Sequence, residues 1–371
     1  WILELEDIEK DSANINQFLK KSERSISGVR HQFYTGEILY SKLRTYLNKV
    51  LVAPKEGYCT TELMSFNTYG VMSNKFVCHV LRSPYFLDYT LRCGYGVKMP
   101  RLSTADACKG MIPLPPLGEQ QRIVAKIERW FSLIEQIEQV KNDLQTAIKQ
   151  AKSKILDLAI HGKLVPQNPN DEPASKLLKR INPKAKITSD NEHYENLPNG
   201  WCYASIKEVF KINPRNKADD SSKAGFISMT NISDGYFNTF RYETRQWYEV
   251  KTGFTHFADG DIAVAKISPC LENRKSIILK DLPNGIGAGT TELYIFRSQC
   301  IDAKYGLFFF KSDYFINQCI NSFNGVVGQQ RVSKSIIEDI DIAIPPLEEQ
   351  MRIANKVSLL FSTLDKIAEE L

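Results

Sequence analysis

The chain has 371 residues, of which 43% are hydrophobic and 11% aromatic, and its formal net charge is +5 at pH 7. This length suffices for two domains that each bury a core, and the composition is ordinary for a globular protein. No apolar run approaches the roughly 18 residues that a membrane-spanning helix needs. A charge of +5 is compatible with a polyanionic partner but does not require one.

Cysteine and histidine usage gives no sign of a metal or redox centre. The eight cysteines never form a Cys-x-x-Cys pair, and the five histidines form no His-Glu-x-x-His motif. In a chain with no export signal at its start, we expect reduced, half-buried cysteines and a cytoplasmic protein. We therefore expect no metal site and no cofactor.

The first predicted domain covers residues 1–112. Its opening segment, "WILELEDIEK", has the character of the middle of a strand, so we expect the domain's opening strands to be missing from the chain. Between Gly36 and Val52, β-branched and aromatic residues alternate with other residues, and Gly and Pro residues bound the stretch. This pattern is typical of strands joined by turns.

A long central helix is predicted within residues 113–165. Pro115 and Pro116 mark its start, and the segment "HGKLVP" marks its end. Apolar side chains between these signals, Ala151 among them, are spaced alternately four and three residues apart and are interrupted only at Lys141, which is the pattern of a coiled-coil seam. The residues of this predicted seam are Ile123, Ile127, Trp130, Ile134, Ile137, Leu144, Ile148, Ile155 and Leu158.

Residues 166–196 are rich in Pro, Asn and Asp and are predicted to form a linker, with a short amphipathic stretch around 175–181. A second strand-rich domain is predicted at 197–344 and a distal helix at 345–371. The distal helix continues the seam pattern at Ile353, Val357, Leu360, Leu364 and Ile367. Because such a helix cannot bury its apolar stripe alone, we expect an antiparallel coiled coil of the two helices. The predicted fold class is α+β, with two pseudo-two-fold-related globular domains separated by this coiled coil.

The two halves of the chain repeat the same sequence blocks in the same order. "PPL-x-EQ-x-RI", "TTEL" and "R[LV]S" each recur 230 residues later. "GEILYSKL" at 36–43 matches "GDIAVAKI" at 260–267 with an offset of 224, which places six additional residues in "ILKDLPNGIGAG". These matches indicate an internal duplication. By the same offset, a counterpart of 197–225 is expected to precede Trp1.

A basic segment follows the duplicated strand in each predicted domain. Cationic and amide groups beside an aromatic residue suit phosphate contacts and hydrogen bonds to base edges. The candidate DNA contacts are Lys42, Arg44, Tyr46, Asn48 and Lys49 in the first domain and Lys266, Asn273, Arg274 and Lys275 in the second. The alternative is a solvated strand edge protected by lysines, and a duplication also copies structural residues.

Two Gly-rich turns end at Ser103 and Ser333, which are predicted to cap the N-termini of short helices. Arg101 and Arg331 lie just before these serines, and a basic residue beside a helix N-terminus can hold a phosphate. The alternative is that the glycines serve only to form the turn. We add Arg101 and Arg331 to the candidate DNA contacts.

No catalytic motif accompanies these segments. "SPYF" at 83–86 lacks the second proline of the amino-methyltransferase motif, and no Gly-rich AdoMet loop follows a strand. Asp259 and Asp261 flank Gly260 in a predicted turn, where we expect them to be solvated. The sequence therefore favours a binding protein over an enzyme.

The two "PPL-x-EQ-x-RI" blocks, together with "HGKLVPQNPNDEPASKLLKRI" and "LPNGW", resemble the specificity subunits of type I restriction-modification systems over essentially the whole chain. The resemblance implies two target recognition domains, each recognising one half of a bipartite, asymmetric sequence in double-stranded DNA. It implies that helices 117–160 and 347–371 set the spacing and dock two methyltransferase subunits, which recruit motor-nuclease subunits. AdoMet would bind the methyltransferase partners, and the chain itself would be non-catalytic.

Two other functions stay open from the sequence. The recognition subunit of a type IIB restriction-modification system shares this layout, and a coiled-coil scaffold protein without DNA binding would also contain such helices. A DNA-binding protein would bind duplex DNA with an affinity whose logarithm falls with the logarithm of the salt concentration, with a slope of several units, and a scaffold would not.

Overall fold

The computed structural model describes residues 1–96, 98–187, 197–321 and 330–370, and within them the chain forms two compact units, Trp1–Val140 and Lys141–Leu371. The elements described up to the end of the long helix are strands β1 (Ile2–Leu3), β2 (Arg30–Phe33), β3 (Ile38–Ser41), β4 (Val50–Val52), β5 (Gly57–Thr60) and β6 (Leu63–Phe66), and helices α1 (Asn74–Arg82), α2 (Pro84–Cys93), α3 (Thr104–Ala107) and α4 (Leu117–Ile160).

The remaining elements belong to the second unit, which also contains α4 from Lys141 onward. They are α5 (Ala174–Ile181), β7 (Cys202–Ser205), α6 (Ile206–Val209), β8 (Lys211–Ile212), β9 (Lys223–Ile227), β10 (Glu243–Gln246), α7 (Trp247–Val250), β11 (Thr255–Ala258), β12 (Ile262–Ala265), β13 (Ser276–Ile278), β14 (Ile286–Gly289), β15 (Leu293–Arg297), α8 (Ala303–Phe310), α9 (Asp313–Ile320), α10 (Lys334–Asp339), β16 (Asp341–Ile344) and α11 (Leu347–Glu369).

The two units share one sheet topology. In the described part of the first unit, the sheets have the orders β1-β5-β2 and β4-β3-β6; in that of the second unit, β9-β14-β11 and β13-β12-β15 recur, with β10 and β8 added at their edges. In both units one sheet contains a parallel pair, β1 with β5 and β9 with β14. The predicted α+β fold with an internal duplication is therefore confirmed, and short helices α1 and α8 pack on the equivalent antiparallel sheets.

The six additional residues of the second unit are divided between two connections. Ile38 pairs with Val52 across β3 and β4, whereas Ile262 pairs with Ile278 across β12 and β13. The second turn is therefore two residues longer, and the other four residues lie between β13 and β14. The expectation that all six lie in "ILKDLPNGIGAG" was wrong, because turns accept insertions while strand register holds the paired positions in place.

The glutamine of the repeated Pro-Pro-Leu-x-Glu-Gln block makes equivalent hydrogen bonds in both units, which explains why the block recurs. The Gln120 side chain donates to the carbonyl of the block's first proline (2.8 Å) and accepts the Ser73 N–H (2.8 Å). Gln350 makes the same two contacts, to its first proline (3.0 Å) and from the Asp302 N–H (2.7 Å). Ser73 and Asp302 cap α1 and α8. In each unit the glutamine therefore joins the start of a long helix to the helix that packs on the sheet.

The C-terminal part of α4 packs against α11 within the second unit. Lys152 forms an ion pair with Asp365, and Arg352 forms one with Asp171, beyond the end of α4 (2.5 Å). Lys152 of α4 meets the C-terminal end of α11, and Asp171, which follows α4, meets the N-terminal end of α11; this order fits the predicted antiparallel pair.

The predicted seam residues differ widely in exposure. Ile148, Ile353 and Val357 are buried, Ile123, Ile127, Leu144, Ile155, Leu158, Leu360 and Leu364 are half-buried, and Trp130, Ile134, Ile137 and Ile367 are exposed. Heptad spacing missed the buried residues Leu156 and Phe361. Phe361 contacts Phe308 and Tyr236, because the helix packs against its globular unit as well as against the other helix. The pairing of the seam residues with one another stays a prediction.

Part of the predicted linker belongs to the packed core of the second unit. Helix α5 buries Ala174 and Leu178, each 1% exposed, and the Asn182 side chain donates to Glu208 (3.2 Å). The Pro- and Asn-rich composition around α5 obscured this, although the amphipathic stretch was visible in the sequence. Residues 188–196 of the predicted linker lie outside the described residues.

Asp261 is buried, which corrects the expectation of a solvated turn. It is 1% exposed, and its carboxylate accepts two hydrogen bonds from the Arg297 guanidinium (2.7 Å each) and one from the Ala258 N–H (2.7 Å). Asp259 accepts the Leu282 N–H (3.1 Å). These carboxylates stabilise the turn around Gly260, whose φ of +87° suits glycine.

All eight cysteines, each of which the structure describes, are free thiols. Within the described ranges, no group of three or more His, Cys, Asp or Glu side chains is placed to hold a metal ion. The helices described there include none that combines the length and apolarity needed to cross a membrane.

Candidate nucleic-acid interface

The basic segment of the first unit is a turn that connects β3 to β4. Its first residue, Lys42, makes backbone hydrogen bonds to two other segments. The Lys42 N–H donates to the Glu62 carbonyl (2.9 Å), and the Lys42 carbonyl accepts the Leu102 N–H (2.8 Å). The Arg101 side chain donates to the Glu62 carboxylate (2.9 Å). The duplicated "TTE" and "R[LV]S" blocks therefore flank the same lysine.

The corresponding residues of the second unit make the same contacts. We call this arrangement of a lysine, a glutamate and an arginine the frame of each unit. The Lys266 N–H donates to the Glu292 carbonyl (3.0 Å), and the Lys266 carbonyl accepts the Val332 N–H (3.0 Å). Arg331 makes two hydrogen bonds to the Glu292 carboxylate (2.9 and 3.0 Å), which lower the pKa of Glu292. These pairs give Arg101 and Arg331 a structural partner in each unit; a phosphate contact by either arginine stays a prediction.

Ser103 and Ser333 cap helices α3 and α10, as predicted. Each hydroxyl accepts a backbone N–H of the first helical turn, from Asp106 and Ile336 respectively. Most of the Gly-rich segment that precedes Arg331 lies outside the described residues.

Lys49 and Lys275 are bound inside their units in equivalent ways. Lys49 Nζ donates to the Leu5 carbonyl (2.7 Å), and Lys275 Nζ donates to the carbonyls of Met229 (3.2 Å) and Ile232 (2.9 Å). Leu5 and Met229 begin equivalent 3-10 turns after β1 and β9. Burial lowers the pKa of Lys49. This geometry supports the alternative, structural role for both lysines.

Asn48 and Arg274 also have equivalent internal contacts. The Asn48 side chain donates to the Arg82 carbonyl at the end of α1 (3.2 Å), and Arg274 Nη1 donates to the Lys311 carbonyl at the end of α8 (2.6 Å). Both residues have left-handed backbone conformations, with φ of +52° and +58°, and Arg274 also pairs with Asp313. Each side chain therefore satisfies a helix C-terminal carbonyl, which again supports a structural role.

Of the remaining candidates, Arg44 is half-buried and its Nε atom is buried, while the others retain accessible groups. Lys42 lines a cavity, and Lys266 Nζ lies 5.2 Å from the centre of the Tyr294 ring. Tyr46 is 42% exposed, and Asn273 is exposed while its carbonyl accepts the Gly235 N–H (2.7 Å).

The Gly-rich turn that ends at Ser103 lies beside the first turn in this unit, and the sequence analysis named only Arg101 and Ser103 in it. The Arg44 N–H donates to the Pro100 carbonyl (2.7 Å), and Tyr95 pairs with Arg101 through two backbone hydrogen bonds (2.9 and 3.0 Å). Tyr95 and Met99 are 55% and 53% exposed. We call Arg44, Tyr46, Tyr95 and Met99 the recognition edge.

The recognition edge combines a cation, phenol hydroxyls and apolar surface, which together suit phosphate contacts and contacts to base edges. Its members lie where the two units differ in sequence, whereas the residues that hold the turns recur. An aromatic residue between two glycines, as in "CGYG", next to a duplicated arginine is the signal that could have identified Tyr95.

Lys311 connects two loops of the second unit from inside. It is fully buried, and its Nζ donates to the carbonyls of Gly235 (2.6 Å) and Arg274 (2.9 Å). Burial, with a smaller effect from the positive charge of Arg274, lowers the pKa of Lys311 to about 7, while Asp234 opposes the shift. A neutral amine still has the two N–H donors that these carbonyls require.

Lys311→Met is expected to remove a pH dependence of stability. Because the lysine pKa falls from 10.5 in the unfolded chain to about 7 in the fold, the unfolded chain binds more protons between these values. The free energy of unfolding of the second unit should therefore rise with pH across that window, by up to about 1.4 kcal/mol per pH unit from this group. Urea unfolding of the wild type across the window should show this rise, and the methionine variant should lack it.

Lys266→Met is the matched control, because Lys266 is only half-buried and the variant should retain the rise. Parallel pH profiles for the wild type and Lys311→Met would show that Lys311 stays charged in the fold.

Comparisons with known proteins support one family. Residues 198–371 match the family model of the type I restriction modification DNA specificity domain. The chain is 39% identical over 279 residues to the type I restriction enzyme EcoAI specificity subunit of Escherichia coli, covering 68% of this chain and 47% of that protein. It is 40% identical over 242 residues to the EcoEI specificity subunit of Escherichia coli, covering 60% of this chain and 41% of that protein. The chain thus spans about half the length of the curated relatives it matches.

Two solved structures share the fold at low sequence identity. One, from a study of complex assembly and conformational transition of the type I R-M system, has a TM-score of 0.65 at 17% identity, covering 100% of this chain and 85% of that chain. The other, the HsdS subunit from Thermoanaerobacter tengcongensis, has a TM-score of 0.57 at 16% identity, covering 99% of this chain and 84% of that chain.

Proposed function

Because the chain belongs to the family of type I restriction enzyme specificity subunits, we propose that it recognises a bipartite sequence in double-stranded DNA, one half through each unit. The observation that carries this proposal is the pair of equivalent frames. Each frame holds a basic turn with the same lysine, arginine and glutamate contacts, while the exposed side chains of the two turns differ. Two recognition surfaces of one architecture and different chemistry suit a target whose halves are unequal.

The residues that hold the turns in place and the residues that contact DNA have separate roles in this proposal. Asn48, Lys49 and their counterparts Arg274 and Lys275 hold the turns through bonds to backbone carbonyls. Sequence recognition then depends on side chains that do not recur, such as those of the recognition edge. Phosphate contacts position a protein on the duplex, and base-edge contacts distinguish sequences.

The long helices are proposed to set the spacing between the half-sites and to dock two methyltransferase subunits, which in turn recruit motor-nuclease subunits. Helix α4 supports a role in assembly through a run of exposed apolar side chains. Trp130, Ile134, Ile137 and Val140 are 53%, 47%, 67% and 64% exposed, and apolar clusters of this kind are typical of protein–protein contacts. In this proposal the chain is cytoplasmic and non-catalytic, and AdoMet binds the methyltransferase subunits.

The proposal is tested by selecting bound duplexes from a library of random sequence with the purified chain at low salt. We expect enrichment of two fixed half-sites separated by a gap of constant length. The logarithm of the affinity for the selected duplex should fall with the logarithm of the salt concentration, with a slope of several units, because each phosphate contact releases counterions. Absence of any duplex affinity would favour the scaffold function instead.

The same preparation tests whether the chain is catalytic. Incubated with labelled AdoMet and the selected duplex, the isolated chain should transfer no methyl group. Transfer by the isolated chain would contradict the proposed division of labour between this chain and its methyltransferase partners.

A further inference from the structure

A cleft of about 560 Å³ in the second unit lies between helix α4 and the basic turn that connects β12 to β13. Its walls include Lys149 and Ser153 of α4 on one side and Arg274 and Asp313 on the other. All four residues belong to the second unit. The side chains that reach across this cleft connect α4 to the turn.

Asp313, the first residue of α9, binds both sides of the cleft. The Ser153 hydroxyl donates to one oxygen of its carboxylate, and the Arg274 guanidinium donates to the other. Burial raises the pKa of Asp313, but the hydrogen bonds from Ser153 and Arg274 outweigh this effect and lower it. A charged carboxylate therefore joins α4 to the turn, and hydrogen bonds to charged groups are stronger than those between neutral groups.

The aromatic ring of Tyr236 makes a second connection between the long helices and the turn. The ring centre lies 5.0 Å from the guanidinium carbon of Arg274 and 5.3 Å from the ring centre of Phe361 on α11. Nζ of Lys152 on α4 lies 5.9 Å from the same ring centre. Cations at such distances are attracted to an aromatic ring. The side chain of Arg274, only 13% exposed, is therefore held from two directions.

The backbone beside Arg274 is held by the same group of segments. The Arg274 carbonyl accepts a hydrogen bond from Lys311 Nζ (2.9 Å), and Arg274 Nη1 donates to the Lys311 carbonyl (2.6 Å). The Asn273 carbonyl accepts the N–H of Gly235 (2.7 Å), which directly precedes Tyr236. A shift of the Arg274 side chain would therefore move the exposed Asn273, a candidate DNA contact.

The residues that form this network differ in type between the two units. By the repeat, the counterparts of Arg274, Asp313 and Tyr236 in the first unit are Asn48, Pro84 and Ser12. These three residues provide no cation, no carboxylate and no aromatic ring. Since the duplication preserves contacts that hold the common fold, a network present at these positions in one unit alone indicates a role specific to the second unit.

We propose that Asp313 and Tyr236 are positioning residues through which helices α4 and α11 fix the orientation of the second DNA-binding turn. The inference rests on the proposed function, because it takes this turn to contact DNA. Recognition of the second half-site then depends on how the long helices pack, and recognition of the first half-site does not depend on this network.

Hydrogen exchange in the absence of DNA tests the connection itself. The amides of 273–275 donate to carbonyls within the turn (2.9–3.0 Å), so their exchange reports on its stability. We expect exchange to accelerate on the order of tenfold in Asp313→Ala and threefold in Ser153→Ala. Alanine is a strong helix former, so α4 should stay intact in the serine variant. Ser153→Thr retains the hydroxyl and should exchange like the wild type.

A double variant tests whether Ser153 acts through Asp313. Ser153→Ala combined with Asp313→Ala should exchange no faster at 273–275 than Asp313→Ala alone. The matched control is Lys154→Ala, which removes an exposed cation of the same cleft that pairs with Asp157 on its own helix (2.7 Å); it should exchange like the wild type. Equal exchange in Ser153→Ala and the wild type, or additive effects in the double variant, would overturn the proposal.

Selection of bound duplexes tests the effect on recognition. Tyr236→Ala and Asp313→Ala should each lower the affinity for the selected duplex on the order of tenfold and relax the second half-site, while the first stays specified. Tyr236→Phe retains the ring and should select the original sequence. Unchanged specificity in Asp313→Ala, or loss of both half-sites, would contradict the positioning role. If the wild type selects no duplex, the proposed function fails, and the exchange rates still decide whether α4 holds the turn.

Discussion

Replacing Gln350 with alanine should destabilise the second unit by about 3–5 kcal/mol. Gln350 is completely buried. Its side chain accepts the Asp302 N–H (2.7 Å) and donates to the carbonyls of Cys300 (3.1 Å) and Pro345 (3.0 Å). Alanine would remove the partner of two buried carbonyls and of the half-buried Asp302 N–H. Each buried group left unpaired costs about 1–3 kcal/mol, and the lost side chain would open a cavity beside them. Urea unfolding combined with hydrogen exchange of α8 measures the effect.

Gln120→Ala is the matched variant in the first unit. Gln120 is 1% exposed and makes two of the three hydrogen bonds, so a smaller loss, about 2–3 kcal/mol, is expected there. It should speed exchange in α1 and leave α8 unchanged. Glu348→Ala, at an exposed position of the same block, should have almost no effect. An unfolding midpoint for Gln350→Ala equal to that of Glu348→Ala would show that the glutamine does not join the helix to its domain.

The variant that combines Arg44→Ala, Tyr46→Ala and Tyr95→Ala should lose one half-site of the selected DNA sequence and retain the other. Tyr46 and Tyr95 are exposed and Arg44 is half-buried. None of the three side chains contributes to the frame of Lys42, Glu62 and Arg101, so their removal leaves this frame intact. Since a good base contact provides about 1–3 kcal/mol, the affinity for the original target should fall at least about tenfold. Repeating the duplex selection with the variant shows which bases remain specified.

Two controls separate recognition from charge and from folding. Lys75→Ala removes an exposed cation that pairs with Glu128 on α4 and should leave both half-sites specified. Lys49→Met breaks the bond to the Leu5 carbonyl and should destabilise the first unit rather than change its target. If the triple alanine variant still selects both half-sites, the recognition edge does not recognise DNA and other surfaces of the first unit do.

The duplicated cations illustrate why the position of a charge in the sequence is a weak guide to its role. Lys49 and Lys275 recur because each binds a backbone carbonyl of a 3-10 turn. Asn48 and Arg274 stand at equivalent positions and differ in type, yet each satisfies the carbonyl at the end of a helix. A duplication preserves the contacts that hold the fold, so the recurring polar residues of this chain are mainly structural. Residues that differ between the two units and are also exposed are better candidates for recognition.

The sequence by itself determined the duplication, the α+β class and both long helices, because these depend on local signals. Prolines mark the start of α4 and α11, heptad spacing predicts that these helices pack along an apolar seam, and the repeated blocks define equivalent strands. Only the tertiary structure decided which cations are exposed. Lys49 meets Leu5, and Lys275 meets Met229, across 44 and 46 residues of chain, and no local pattern encodes such a contact. The burial of α5 and of Asp261 was decided in the same way, because it depends on which distant segments of the chain pack over them.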